Sequence, residues 1–128
     1  MKVGGVNIDA AFAELAPLDL NDEEIPADPL KASFAQLSEY RDGGVFASSF
    51  TGHSPWEHHP EDELLIIVDG ATELILWCDG EEERATLSTG ELLVVPARTW
   101  HRFETAGVRT IGVTPQPTAT CSGIYPDD

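Results

Sequence analysis

From residue 33 to residue 114 the chain alternates between short apolar runs and turn signals. SFAQLSEY (33–40) and VFASSFT (45–51) place apolar and polar side chains in turn, the period of a half-buried strand. Between them, Arg41-Asp42-Gly43-Gly44 contains the Asp-Gly pair that suits a tight hairpin. Leu64–Val68 predicts a strand that stops at Asp69-Gly70, and Thr72–Trp77 predicts another, closed by Asp79-Gly80. Arg84–Leu87, Glu91–Val95, Trp100–Glu104 and Val108–Thr114 complete the series. The total is about eight or nine short strands with almost no helix, the pattern of a β-sandwich or closed barrel. Several strands are apolar on both faces. That suits two packed sheets or a barrel with a partly apolar interior.

The flanks read differently. Ala10–Leu15 can form a short helix. PLDLNDEEIPADPL (17–30) mixes prolines and acids and reads as an extended arm or loop. The tail from Pro115 has the look of irregular chain. The expected division is an N-terminal arm over 1–30, a barrel over 31–115 and an irregular tail over 116–128.

Size and charge narrow the function classes. A chain of 128 residues fits one domain with a sizeable core. No apolar run approaches the length of a membrane-spanning helix. The N-terminal stretch lacks the apolar core of a secretory signal, so a cytoplasmic location is expected. Cys78 and Cys121 then read as free thiols, with Cys78 in the core. The formal net charge is −16, which repels phosphate backbones and anionic lipid surfaces. Nucleic acid and membrane are therefore not expected partners.

One acidic cluster differs from the rest because histidines stand in it. His53, His58 and His59 lie beside Glu57, Glu61 and Glu63, and His101 is the only other histidine. On a strand, Glu57 and His59 share a face while His58 points the other way. If the chain stays extended through Pro60, Glu63 shares that face too. One strand supplies only two or three donors, and a metal ion needs three or four from rigid elements, so a distant donor is required. His53 sits in a Gly-containing loop and reads as exposed. Trp56, Trp77 and Trp100 read as packing residues, and Arg102 as an outward-facing partner. There is no phosphate-cradling loop, no nucleophile elbow and no Cys-x-x-Cys.

WEHHPEDELLIIVDG followed by GELLVVPARTWHRF resembles the two sequence motifs of the cupin superfamily. His59, three residues, Glu63, six residues and Gly70 match the end of the first motif. Gly90, five residues, Pro96 and, further on, His101 match the second. The resemblance covers residues 52–105. It implies an all-β, double-stranded β-helix or jelly-roll barrel, with both motifs on neighbouring strands facing the interior. It also implies one divalent metal ion (Fe, Mn, Zn or Ni) held by Glu57, His59, Glu63 and His101. Glu57 stands where the family has a histidine. His58 is the alternative ligand if the backbone bulges. Arg98 replaces a family glycine and Thr105 a family asparagine; Arg98 could also meet an anionic ligand at the barrel mouth.

The function implied is metal-dependent catalysis on a small organic molecule, of dioxygenase or isomerase type. Glu57 or Glu63 could leave the metal to act as general base. The alternative is a non-catalytic module that binds a metal or metabolite. Catalytic residues are not assignable from the sequence. Pocket-lining candidates by strand parity are Leu65, Ile67 and Phe103, with Phe46 or Val45. The resemblance further implies a homodimer.

Overall fold

Residues 34–53 fold as their alternation predicts, into two antiparallel strands joined by a tight turn. The computed structural model describes residues 4–21, 32–116, 118 and 120–122. In chain order it contains helix α1 (Ile8–Ala13) and strands β1 (Leu18–Asn21), β2 (Phe34–Tyr40), β3 (Gly43–His53), β4 (Trp56–His58), β5 (Glu63–Cys78), β6 (Glu81–Ser88), β7 (Leu92–Val95), β8 (His101–Thr114) and β9 (Thr120–Ser122). The β2–β3 turn sits one residue earlier than the Asp-Gly signal. Arg41 takes the left-handed conformation there, at φ 52°, and Gly43 already belongs to the strand.

Two expected pairs of strands are single strands. β5 runs through Asp69-Gly70 without stopping, and β8 joins the 100–104 and 108–114 segments. Each is long enough to serve both ends of the sheet. The first part of β5 pairs with β7 and the last part of β8, while its second part pairs with β6 and the start of β8. The ladder shifts register between Ile67 and Asp69 and again between Ala71 and Glu73. Such irregularities bend a strand and sharpen its twist. Gly70 marks the corner with φ 90°, and a Cβ there would collide with the Gly107 carbonyl. The glycine that reads as a strand end is thus a bend within one strand.

The nine strands form one hydrogen-bonded sheet in which β3 and β8 are central partners. β1 adds to β3 in parallel, from Leu18 opposite Phe50 to Asn21 opposite His53. This strand lies in the stretch expected to be an arm; residues 22–31 of that stretch lie outside the described residues. β9, in the expected tail, pairs with β4.

The two apolar faces of β3 and β8 have different covers. Phe50, Leu65, Ile67, Leu74, Phe103 and Val108 belong to the interior cluster. On the opposite face, Ala47 and Ile111 pack with Phe12 of α1, which is 1 % exposed. The helix is only six residues long. Asn7 caps it by accepting a hydrogen bond from the Ala10 N–H at 2.8 Å. Burial of Phe12 contributes about 2–3 kcal/mol and holds the helix on the sheet. Among the described residues no helix is long and apolar enough to cross a membrane.

Outside the barrel, Arg84 meets Glu73 at 2.6 Å and Glu104 at 3.0 Å, and Arg102 meets Glu104 at 2.8 Å. Arg102 also lies over the Trp56 ring at 5.5 Å, the outward partnership its parity suggested. Cys78 is free and half-buried at the end of β5, less enclosed than a core position.

Two substitutions test the backbone reading with opposite signs. Arg98 occupies φ 58°, a region that costs a side-chain-bearing residue about 1–2 kcal/mol. Arg98→Gly is expected to raise the unfolding free energy by about 1 kcal/mol, read as a higher denaturation midpoint with an unchanged denaturant slope. Gly70→Ala, strained and in collision, is expected to lose about 2 kcal/mol or more. Equal midpoints for wild type and both variants would contradict the reading.

Candidate metal centre

Glu57 and His101 face each other because β4 and β8 are paired at that one position. β4 is three residues long and ends at His58, so His59 is the first residue beyond it. Strand parity sorts the neighbours. Glu57 and His59 turn inward, while His58 packs edge-to-face against Trp100, ring centroids 4.4 Å apart. The bulge that would bring His58 inward does not occur.

The chain does not stay extended to Glu63. It bends at Pro60 and Glu61, and two contacts fix the detour. The Arg98 N–H donates to the His59 carbonyl at 2.7 Å, and the Ala97 N–H donates to Asp62 Oδ1 at 2.8 Å. β5 then starts at Glu63, opposite Val95. The Glu63 carboxylate lies against Gly112, where a Cβ would stand 3.4 Å from Oε2. Glu63 therefore reaches the centre through the register of a new strand.

The four side chains converge. His59 Nε2 is 3.8 Å from Glu57 Oε1 and 3.6 Å from Glu63 Oε2. His101 Nε2 is 3.6 Å from Glu57 Oε1 and 3.8 Å from Glu63 Oε1. Donor atoms of Glu57, His59 and His101 all lie within 4.8 Å of one another. Glu63 joins that trio by presenting one oxygen to each imidazole.

These separations are too long for hydrogen bonds. Both Nε2 atoms are buried and have no hydrogen-bond partner among the described residues. Their other nitrogens are engaged. His101 Nδ1 faces the Thr99 carbonyl at 2.9 Å, and His59 Nδ1 faces the Thr118 carbonyl at 3.3 Å. A carbonyl only accepts, so Nδ1 carries the proton in both rings, and each neutral ring turns its Nε2 lone pair to the centre. Backbone carbonyls commonly orient metal-binding histidines in this way. Two aimed lone pairs and two carboxylates fit a divalent cation.

Electrostatics agree. Burial alone would raise the Glu57 carboxyl, but the facing His101 and the charge of His59 hold it below its ordinary value of 4.5. Burial pushes Glu63 above 4.5, the two imidazoles counteract in part, and Glu57 adds to the rise. Burial disfavours the charged form of His101, yet Glu57, the Thr99 carbonyl and Glu63 together lift it above 6.5. Without a cation, the cluster pulls a proton into its middle.

A cavity of about 800 Å³ opens above Glu57, His59 and Glu63. Leu65 and Phe103 line it, as does Phe46. Phe103 stands edge-on to Phe50 at 5.1 Å. Ile67 does not line it: at 1 % exposure it lies in the packed core. It shares a face with Leu65, but the cavity ends before reaching it. Val45 faces the helix side with Ala47. Arg98 is exposed and away from the lining, which removes it as an anion contact at the mouth. Ser54 and Pro55, which join β3 to β4, also line the wall. No residue pattern marked them. Thr105, where the motif has an asparagine, donates to the Ala71 carbonyl at 2.5 Å and accepts from the Gly107 N–H at 3.0 Å. His53 is exposed.

A family model described as a cupin domain matches residues 51–112. YdbB, an uncharacterized protein of Bacillus subtilis (strain 168), is 37 % identical over 78 residues, spanning 60 % of this chain and 66 % of its own length. The match thus falls just short of two thirds of that relative. The crystal structure of a cupin-2 domain containing protein from Shewanella frigidimarina NCIMB 400 is 17 % identical, with TM-score 0.64 over 91 % of this chain and 94 % of that one. The hydroquinone 1,2-dioxygenase PnpCD, solved with Cd2+ and 4-hydroxybenzonitrile, is 21 % identical, with TM-score 0.55 over 63 % of this chain and 60 % of that one. At these identities the solved structures show a shared jelly-roll barrel fold.

The charge balance predicts opposed pH responses. His101 has a raised folded value, so its contribution to stability is complete below 6.5 and is lost as pH rises through the raised value above it. Glu63 acts in the same direction from 4.5 upward. Glu57 has a depressed value, so its contribution holds above 4.5 and is lost as pH falls through the depressed one. Chelator-treated protein is therefore expected to lose Tm as pH rises above about 6.5, more steeply than Glu57→Gln. The Tm gain on adding Zn2+ is expected to grow over the same interval, because protons leave the ligands. Parallel slopes for the two proteins in a thermal-melt series would contradict this account.

Proposed function

Because the chain belongs to the cupin superfamily, we propose that Glu57, His59, Glu63 and His101 hold one divalent metal ion and that the centre serves an enzyme acting on a small organic molecule. The observation that carries the proposal is the pair of buried Nε2 atoms, unpartnered among the described residues and aimed at two carboxylates. Mixed nitrogen and oxygen donors suit Mn, Fe, Zn or Ni over a soft metal. Bound there, the ion supplies Lewis-acid polarisation of a ligand oxygen, or redox chemistry if it is iron or manganese.

The residues of the chain divide the remaining work. His59 and His101 are rigid supports, because each ring is buried and anchored through Nδ1. Glu57 keeps 31 % of its side chain accessible, against 13 % for Glu63. Glu57 therefore faces incoming ligand and is positioned to take a proton from it; geometry comes before pKa in choosing a general base. Phe50 and Phe103 give the space above an apolar wall.

We also infer a homodimer. Leu92 and Val94 stand 60 % and 51 % exposed on one face of β7, an apolar edge that a second copy would cover.

Elemental analysis of the purified chain is expected to give one metal per protomer. His101→Ala should abolish retention through desalting, and Glu57→Ala should weaken binding at least about tenfold. Circular dichroism checks that both variants fold. Full metal content in both would refute the ligand set. Binding of small molecules without turnover across Fe, Mn, Zn and Ni would favour a sensing module over an enzyme. Light scattering on Leu92→Lys/Val94→Lys should show a monomer where wild type shows a dimer; a monomeric wild type would refute that part.

A further inference from the structure

The wall above the centre is apolar, and most of its charge is negative. Leu18, Leu20, Phe50, Leu65 and Phe103 form its inner surface. Ser48 and Thr110 also reach it, but their hydroxyls hydrogen-bond to each other at 2.7 Å, which occupies one of their protons. Arg41 is the only arginine or lysine among the described lining residues. It is exposed, in the β2–β3 turn, beside Asp42 and near Glu39, both of which line the same rim. An anion entering past this rim meets more carboxylate than guanidinium.

The floor reinforces the bias. Metal-binding carboxylates are ionised and metal-binding imidazoles are neutral. Two carboxylates against one divalent ion leave a net charge of zero, whereas a centre with one carboxylate would keep one positive charge. An anionic ligand would lose its hydration to an apolar wall and meet no net positive charge at the floor. A neutral ligand loses much less.

Resting on the metal-centre reading above, we propose that this cavity selects neutral ligands: an apolar body carrying an uncharged oxygen donor, such as a carbonyl or hydroxyl. It discriminates against carboxylates of the same shape. Glu57 is the residue that sets this preference, since it supplies the second negative charge.

Benzamide and benzoate differ chiefly in charge and serve as probes. Protein loaded with Zn2+, its content verified by elemental analysis, is titrated with each by calorimetry. Benzamide should bind at least about tenfold more tightly than benzoate. In Glu57→Gln, kept loaded by excess Zn2+, the ratio should move toward benzoate by about tenfold, since the floor gains one positive charge. Loaded wild type that binds benzoate as tightly as benzamide, or binds neither, overturns the selectivity while leaving the metal centre intact. So does an unchanged ratio in loaded Glu57→Gln. A wild type that retains no Zn2+ overturns the metal centre and the selectivity together.

Discussion

Two imidazole nitrogens buried away from water and given no protein hydrogen-bond partner among the described residues are the constraint around which this fold is organised. Leaving a polar atom so placed costs about 1–3 kcal/mol each. Here the cost falls on two atoms that point at the same small space. The backbone makes that arrangement rigid. His101 begins β8, is bound through Nδ1 to Thr99, and is fully buried. His59 is pinned at its carbonyl by the Arg98 N–H, and its ring is held through Nδ1 by the Thr118 carbonyl. Neither ring can turn away to find another partner without breaking these bonds. The carboxylates then face imidazoles at 3.6–3.8 Å, distances that a shared cation resolves and direct contact does not.

Much of this was legible in the sequence, and the residues show why. Strand parity alone separates Glu57 and His59 from His58, because the pleat leaves no freedom over three extended residues. The same rule places Phe103 with His101. Parity fails where the chain is not extended: Glu63 arrives by a bend at Pro60 and a fresh register, a route that a period-two count cannot see. It also fails to set depth. Leu65 and Ile67 share a face, yet one meets the cavity and the other the core, since depth depends on where neighbouring strands end. Asp69-Gly70 reads as a turn from local chemistry. Long-range pairing with β8 carries the strand across it, and the glycine becomes a bend. The parallel addition of β1 to β3 had no local signature, because parallel pairing joins segments distant in sequence.

The departures from the motif carry separate meanings. Arg98 stands in a left-handed turn, so the glycine it replaces is a backbone requirement and the replacement is a strain borne locally. Its side chain is exposed and away from the cavity wall. The strain is tolerated because the turn is closed by the Thr99 N–H to the Pro96 carbonyl and anchored by the Ala97 and Arg98 N–H groups to Asp62 and the His59 carbonyl. Glu57, in contrast, changes the chemistry of the floor. A carboxylate in place of an imidazole adds a charge, and charge acts well beyond the contact distance in a low-dielectric cavity.

That added charge must be read together with the rest of the chain. With 23 acidic side chains against 7 basic ones, the protein surrounds an acidic floor with an acidic surface. Such a field raises the local concentration of cations and lowers that of anions. Salt screens the surface part of it within about 8–10 Å, but the half-buried pair Glu57 and Glu63 is screened less. The two contributions therefore separate by ionic strength: the surface governs how readily a cation arrives, and the floor governs what the occupied centre then accepts. The stability of the metal-free barrel follows the same logic. Two half-buried carboxylates around one space demand a counter-charge, supplied by a proton at lower pH and by a divalent ion at higher pH. Proton and metal compete for one space, and the geometry of His59 and His101 serves both.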